Sequence, residues 1–322
     1  MDFCKRFYGL QKVKDLLGKL NSSSHAIILS SKDSIFLDAF AKLLVLNDCC
    51  KTDEICFECI DCKKILNKNS VDVEYFGYNK PVVVEDSQQI IADSYVVPLE
   101  FKNKYFIVNE IQNATLPAQN KLLKVIEEPQ KFDKFIFTTT SLDAVLPTIK
   151  SRCQIVSLPK LTADELTLLF DYKLNDAKHF NISLGYADGN LTKLDQLYND
   201  QNFMALFDIT LNMLANMRNS SFVLEYSSKI LSYNGDFLKF LHILNGFYAD
   251  MLCIKQNRQN LVLNKQVETQ LSIIANSYSE LAIINIQKQI NNTMLKYNYN
   301  ANLNGLVDNL LLKILEIKYL CK

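Results

Sequence analysis

Between Gly18 and Gly77 the chain has no glycine, and only eight occur among all 322 residues. That gap excludes a glycine-rich phosphate cradle of the G-x-x-x-x-G-K-[ST] kind there. Such a nest needs backbone N–H groups converging at positive φ, and each such position costs a non-glycine residue about 1 kcal/mol or more. An excess of charge of either sign is also missing: Lys plus Arg and Asp plus Glu both count 35. This argues against a uniformly basic protein that grips nucleic acid by bulk charge, while leaving room for a local basic face. No uninterrupted apolar run reaches about 18 residues, so no segment reads as a membrane span. The opening MDFCKRFYGL lacks the charged-then-apolar layout of a secretory leader, and a soluble cytoplasmic protein is expected. The three histidines, His25, His179 and His242, are too scattered to form a site. From about Asn202 onward glycine and proline nearly disappear.

What is present is an apolar content of 48%, enough for two or three packed domains without staples. Nine cysteines without a secretion signal read as thiols or metal ligands rather than a disulfide framework. Four of them, Cys50, Cys56, Cys59 and Cys62, form a C-x2-C-x2-C core with a fourth thiol six residues upstream. Four thiolates at that spacing converge on a closed, structural zinc site. Free core cysteines are the simpler alternative, but Phe57, Glu58 and Asp61 between them show no helical or strand burial pattern. An iron–sulfur cluster is the other, and the missing C-x3-C-P continuation after Cys62 weighs against it. Cys49 competes with Cys50 for the fourth place; Cys50 is the choice made here.

The order of elements begins with an amphipathic helix over 10–21, with Val13, Leu16, Leu17 and Leu20 on one face. Ser22 to Ser24 break it, His25 to Leu29 read as a central strand, and Phe36 to Val45 as a helix with Phe36, Phe40, Leu43 and Leu44 inward. Between strand and helix lies Ser30-Ser31-Lys32-Asp33-Ser34, where Lys32 reads as a solvated turn residue. A strand over Val71–Tyr78, a short apolar piece over Pro81–Val84, and a helix capped by Asp86 or Ser87 and running to Ser94 come next. The stretch 105–154 then reads strand (Tyr105–Val108), acidic turn (Asn109-Glu110), helix opened by Pro117 and stopped by Pro129, and strand (Phe135–Phe137). It closes on LPTIKSRCQ, Leu146 to Gln154, with Arg152 just ahead of Ile155-Val156. Two buried parallel strands around a helix imply a right-handed crossover in an α/β sheet, whose working residues sit at the strands' carboxyl ends. Thr162-x-x-Glu165 is a capping box that starts a new helix after Leu158 to Leu161. Helical patterns follow over Phe203–Met217, Asp236–Lys255, Ser279–Leu295 and Leu306–Leu320.

The strings NEIQNATLPAQNKLLKVIEEP (109–129), FIFTTT (135–140) and LPTIKSRC (146–153) resemble, in order and spacing, the AAA+ core of the clamp-loader family of bacterial DNA polymerase III, within it the delta-prime type. The resemblance implies an AAA+-like α/β domain over 1–158 with a four-cysteine zinc insertion over 49–62, a small helical lid domain over 159–201, and an all-α collar domain over 202–322. Gly185 to Leu191 is similar to the lid segment, where the family's ATPases place an arginine shortly after the glycine; here Thr192-Lys193 follow. Asn109 stands where those ATPases carry an aspartate before Glu110. With the glycine-free turn, this makes ATP binding and hydrolysis by this chain unexpected. Ser151-Arg152-Cys153 matches the motif that carries an arginine finger, which implies that Arg152, beside Ser151, acts in trans on a neighbour's ATP. Thr138 to Thr140 occupy the position that senses γ-phosphate in ATPases and read here as a strand end. The implied partners are gamma/tau-type and delta-type loader subunits and, through the assembled complex, a sliding clamp and primed DNA; no membrane partner is implied. The alternatives are an ATP-hydrolysing gamma/tau-type subunit and a zinc-dependent nucleic-acid-binding module. Asp53, Glu54, Glu58 and Asp61 around the cysteines disfavour the second, because they repel phosphates.

Overall fold

A computed structural model describes residues 2–20, 24–170, 176–217, 219–233, 236–299 and 301–320. The chain separates into two compact units, Met1–Lys173 with Asp188–Lys193, and Leu174–Ala187 with Leu194–Lys322.

The first unit is built on five parallel strands: β1 (Ala26–Ser30), β2 (Val73–Phe76), β3 (Lys104–Val108), β4 (Asp133–Thr139) and β5 (Gln154–Ser157), in the spatial order β2-β3-β4-β1-β5. Successive side chains of a strand point to opposite faces, so strands covered on both sides must be apolar throughout. The central strands satisfy this. Ala26, Ile28, Phe106, Val108, Phe135 and Phe137 pack with Ile90 of the helix Val84–Ser94 and with Ala118, Leu122, Val125 and Ile126 of the helix Leu116–Glu127. On the other face the helix Ser34–Cys49 packs against β1 and β4. Edge strand β5 is largely exposed.

Sequence periodicity finds these elements except β5, of which only the apolar pair Ile155-Val156 was legible, and misplaces several ends. The strand expected over Val71–Tyr78 is shorter for two reasons. The Asp72 carboxylate accepts the N–H groups of Leu99 (2.9 Å) and Phe101 (2.8 Å), and Gly77 turns the chain at φ +80°. A Cβ at Gly77 would lie 2.2 Å from the carbonyl oxygen of Asn109, so only glycine fits there. Neither Asp86 nor Ser87 is the N-cap of its helix. The helix begins at Val84, and Asp86 reaches back to accept the Val83 N–H at 2.9 Å. The Thr162/Glu165 capping box forms as expected: Glu165 accepts from the Thr162 N–H (2.7 Å) and Thr162 Oγ1 from the Glu165 N–H (3.2 Å). Of the break expected at Ser22 to Ser24, the first two residues, like Asn21 before them, lie outside the described residues.

The second unit is helical. Its long helices are Gln201–Asn216, Ser220–Leu231, Phe237–Lys255, Glu280–Asn298 and Leu303–Leu320, with the shorter Ala177–Ala187 and Glu268–Ala275. Four were legible from apolar spacing. Ser220–Leu231 was not, because its serines dilute the stripe carried by Val223, Tyr226 and Ile230, which are buried. Phe237–Lys255 is long and apolar enough by composition to cross a membrane, but its Phe240, Leu244, Phe247 and Met251 are buried in the helical core.

Candidate functional site

The chain leaves β1 through Ser31-Lys32-Asp33 into the helix Ser34–Cys49, at the carboxyl end of the sheet. A helix start carries unpaired N–H groups and partial positive charge, which makes it a natural anion site. Here the protein supplies the anion itself. Asp33, 3% exposed, caps the helix by accepting from the Phe36 N–H (3.1 Å). The same carboxylate accepts from the Leu191 N–H (2.6 Å), the Thr192 N–H (3.3 Å) and the Thr192 hydroxyl (2.7 Å). Thr192 Oγ1 in turn accepts from the Ile35 N–H (2.9 Å). Asn190 donates to the Lys32 carbonyl (2.9 Å), while Lys32 itself is exposed. Segment 188–193 therefore fills the turn between β1 and the helix, and the buried Asp33 carboxylate occupies the N–H groups there. Lys193 is exposed and turned to this role in no observed contact.

At the ends of β3 and β4 a second polar cluster closes on itself. The Thr138 hydroxyl donates to Asn109 Oδ1 (2.8 Å) and accepts from the Glu110 N–H (2.9 Å). Glu110 sits in the left-handed region at φ 50°, and its carboxylate accepts from Gln112 (3.2 Å) and Asn113 (2.7 Å). Gln112 also donates to Thr140 (2.9 Å). The threonines thus serve the acidic turn rather than an open site.

Between the helix Ser34–Cys49 and β2, the Sγ atoms of Cys50, Cys56, Cys59 and Cys62 all lie within 4.8 Å of one another. The Cys50–Cys56 and Cys56–Cys62 separations are 3.6 and 3.9 Å. A tetrahedral ion with four thiolates at about 2.3 Å requires sulfur–sulfur separations near 3.8 Å, so the four side chains are close enough to hold a metal ion such as zinc. Backbone N–H groups point at the sulfurs: Cys56 to Cys50 (3.4 Å), Cys59 to Cys56 (3.4 Å) and Cys62 to Cys59 (3.3 Å). The N–H groups of Glu58 and Cys59 lower the Cys56 thiol to about 6, which favours the thiolate that binds metals. Cys49 is not in this cluster, and burial pushes its thiol up to about 12. Phe57, whose surroundings show no helical or strand burial pattern in the sequence, is nonetheless buried. It is 2% exposed, stacks edge-on with Tyr8 at 5.6 Å and takes φ 60°, a conformation costly for an aromatic residue. A knuckle rather than a helix or strand buries it, which periodicity cannot reveal.

Arg152 lies two residues before β5, at the amino end of that strand. Gln154 pairs with Ile27 and Ser157 with Ser30, so roughly 10 Å of strand separates Arg152's side of the sheet from the turn after β1. Arg152 is therefore placed away from this chain's own turn. Its Nε meets Glu127 Oε1 at 2.6 Å, and Nη1 donates to the Thr148 carbonyl (2.9 Å) and to Ser151 Oγ (3.2 Å). Cys153 is half-buried. Two residues in these arrangements carried no readable signal. Thr192 follows a lid-like glycine segment but nothing in its neighbours announces a bond to Asp33, 159 positions away. Glu127 is one of two consecutive glutamates at a helix end, indistinguishable by spacing.

Residues 11–162 match a family model described as DNA polymerase III, delta subunit. The chain is 26% identical over 276 residues to DNA polymerase III subunit gamma/tau of Mycoplasma genitalium, covering 80% of this chain and 44% of that protein. It is 29% identical over 161 residues to subunit gamma of Buchnera aphidicola subsp. Acyrthosiphon pisum, covering 49% and 44%. With subunit delta' of Buchnera aphidicola subsp. Baizongia pistaciae it shares 24% identity over 297 residues, 84% of each chain. The chain thus spans about half or less of the gamma and gamma/tau relatives' length. A gamma subunit-related protein of Thermotoga maritima superposes with a TM-score of 0.44 at 17% identity over 96% of this chain and 100% of that one, a score too low to bear on the fold. The chain is thus similar to gamma, gamma/tau and delta' subunits of DNA polymerase III, and over residues 11–162 to the delta-subunit family model.

Proposed function

We propose that this chain is a delta-prime-type clamp-loader subunit, which supports ATP-driven loading of a sliding clamp on primed DNA without binding or hydrolysing ATP itself. The observation that carries this reading is the Asp33 carboxylate, bonded to the start of the helix and to Thr192 in the place of a phosphate. Asn109 adds a second loss, since an amide bonded to Thr138 cannot serve as a magnesium carboxylate. Arg152, with Ser151 beside it, acts in trans: its guanidinium enters a neighbouring subunit's ATP site and neutralises charge developing on the γ-phosphate. One zinc ion held by Cys50, Cys56, Cys59 and Cys62 stabilises the insertion; four thiolates leave no open position for catalysis. In this reading 1–158 is the AAA+-like domain, 159–201 the lid and 202–322 the collar that contacts gamma/tau-type and delta-type partners in the cytoplasm.

The similarity to gamma and gamma/tau subunits favours a second reading, an ATP-hydrolysing subunit. Reconstitution separates the two. Mixed with gamma/tau-type and delta-type subunits, the chain is expected to enter one complex on gel filtration and to restore clamp loading on primed DNA to a mixture lacking it. Alone it is expected to hydrolyse no ATP. Turnover by the purified chain that is abolished by substitution in its own turn would establish the second reading, and failure to assemble would remove both.

A further inference from the structure

Arg152 has a partner whose role goes beyond the finger itself. The guanidinium carries five N–H donors in a planar fork. Nε lies 2.6 Å from Glu127 Oε1 in an ion pair, and Nη1 donates to the Thr148 carbonyl and Ser151 Oγ. Nη2 makes no hydrogen bond to the described residues. Both anchoring elements are themselves fixed. Glu127 ends the helix Leu116–Glu127, whose Val125 and Ile126 are buried in the sheet core. Thr148 belongs to the helix Pro147–Lys150, held by fully buried Ile149 and by the Leu146 N–H, which donates to the side chain of buried Gln119 at 3.3 Å. Glu127 and Arg152 are 45% and 37% exposed in their side chains. A pair this open adds little to folding stability. What it changes is where the fork points.

We infer that Glu127 is a positioning residue, whose ion pair with the Arg152 guanidinium restrains it so that Nη2 is left for a neighbouring subunit's phosphate. The inference rests on the reading of Arg152 as a finger in trans. An arginine on a flexible stem must lose rotamer freedom when it engages a phosphate, and one already oriented loses less at the moment of reaction. Glu127 thus contributes to the rate through Arg152 and touches neither nucleotide nor metal.

The test uses complexes reconstituted from the full-length chain, gamma/tau-type and delta-type subunits, with clamp, primed DNA and Mg-ATP. Four versions are compared: wild type, Glu127→Ala, Arg152→Ala and the double variant. Glu127→Ala is expected to lower kcat at the adjacent site about two- to fivefold. KM for ATP, the melting temperature of the chain and assembly should all stay unchanged. In the Arg152→Ala background the same substitution is expected to have no further effect, and Glu127→Gln, which keeps the side-chain length but removes the charge, should fall between. Equal losses in both backgrounds would assign Glu127 a structural role and overturn the inference. So would a silent Glu127→Ala beside an impaired Arg152→Ala, or a rate increase, which would make Glu127 a restraint. A silent Arg152→Ala overturns the finger reading itself.

Discussion

Replacing Arg152 by alanine in an assembled loader is expected to leave the complex intact and to slow the ATP site next to this subunit about tenfold or more. The separation of the two effects follows from where Arg152 lies. It is a half-exposed side chain at the amino end of edge strand β5, bonded to Glu127, Thr148 and Ser151 on its own surface. None of these contacts is part of the buried sheet core, so their loss costs the fold little. In the proposed reading the chemistry depends on a fixed positive fork meeting developing negative charge, a contribution worth roughly 10³ to 10⁵ in rate for related phosphoryl transfer, of which a complex with several ATP sites shows only a part. Arg152→Lys should recover little, because an ammonium lacks the planar fork that spans two phosphate oxygens. ATP turnover and loading rate are measured on complexes matched for composition. Equal rates from equally assembled complexes would contradict the finger, and loss of assembly would make Arg152 structural.

Metal analysis of the purified chain is expected to find one zinc per molecule, and Cys59→Ser to abolish it. The cysteine loop places Phe57 in the left-handed region with its ring buried, and the ring is kept there by the knuckle around Cys56 and Cys59. With the metal gone, four thiolates repel or take up protons, and the strain at Phe57 is no longer offset. A destabilisation on the order of 3 kcal/mol follows, seen as a fall of roughly 5–10 °C in the melting temperature of the first unit. A strong chelator should have the same effect on wild type and none on Cys59→Ser. Cys49→Ser should retain its zinc, since half-buried Cys49 lies outside the four-sulfur cluster. Iron in place of zinc, or full zinc content in Cys59→Ser, would contradict the assignment.

Much of this arrangement was legible because it depends on local rules. The apolar runs at Ala26–Ser30, Lys104–Val108 and Asp133–Thr139 have the continuous pattern of strands buried on both faces. Pro117 at the start of its helix, the reciprocal Thr162/Glu165 cap and the C-x2-C-x2-C spacing are short-range signals of the same kind. Ends were less legible, since Asp72 and Gly77 end β2 through contacts with residues 27 to 32 positions away. Least legible were the pairings that decide the chemistry. The missing glycines announce that the phosphate turn is not a cradle, but that Asp33 and Thr192 fill it is a property of the folded chain. The same holds for Glu127, whose bond to Arg152 joins a helix end to a turn 25 residues later.

A calorimetric titration of the isolated chain with Mg-ATP tests the nucleotide-free reading most directly. With Asp33 buried at the helix start and Asn109 in place of a carboxylate, no heat of binding is expected up to millimolar nucleotide. Saturable binding at micromolar ATP would contradict it.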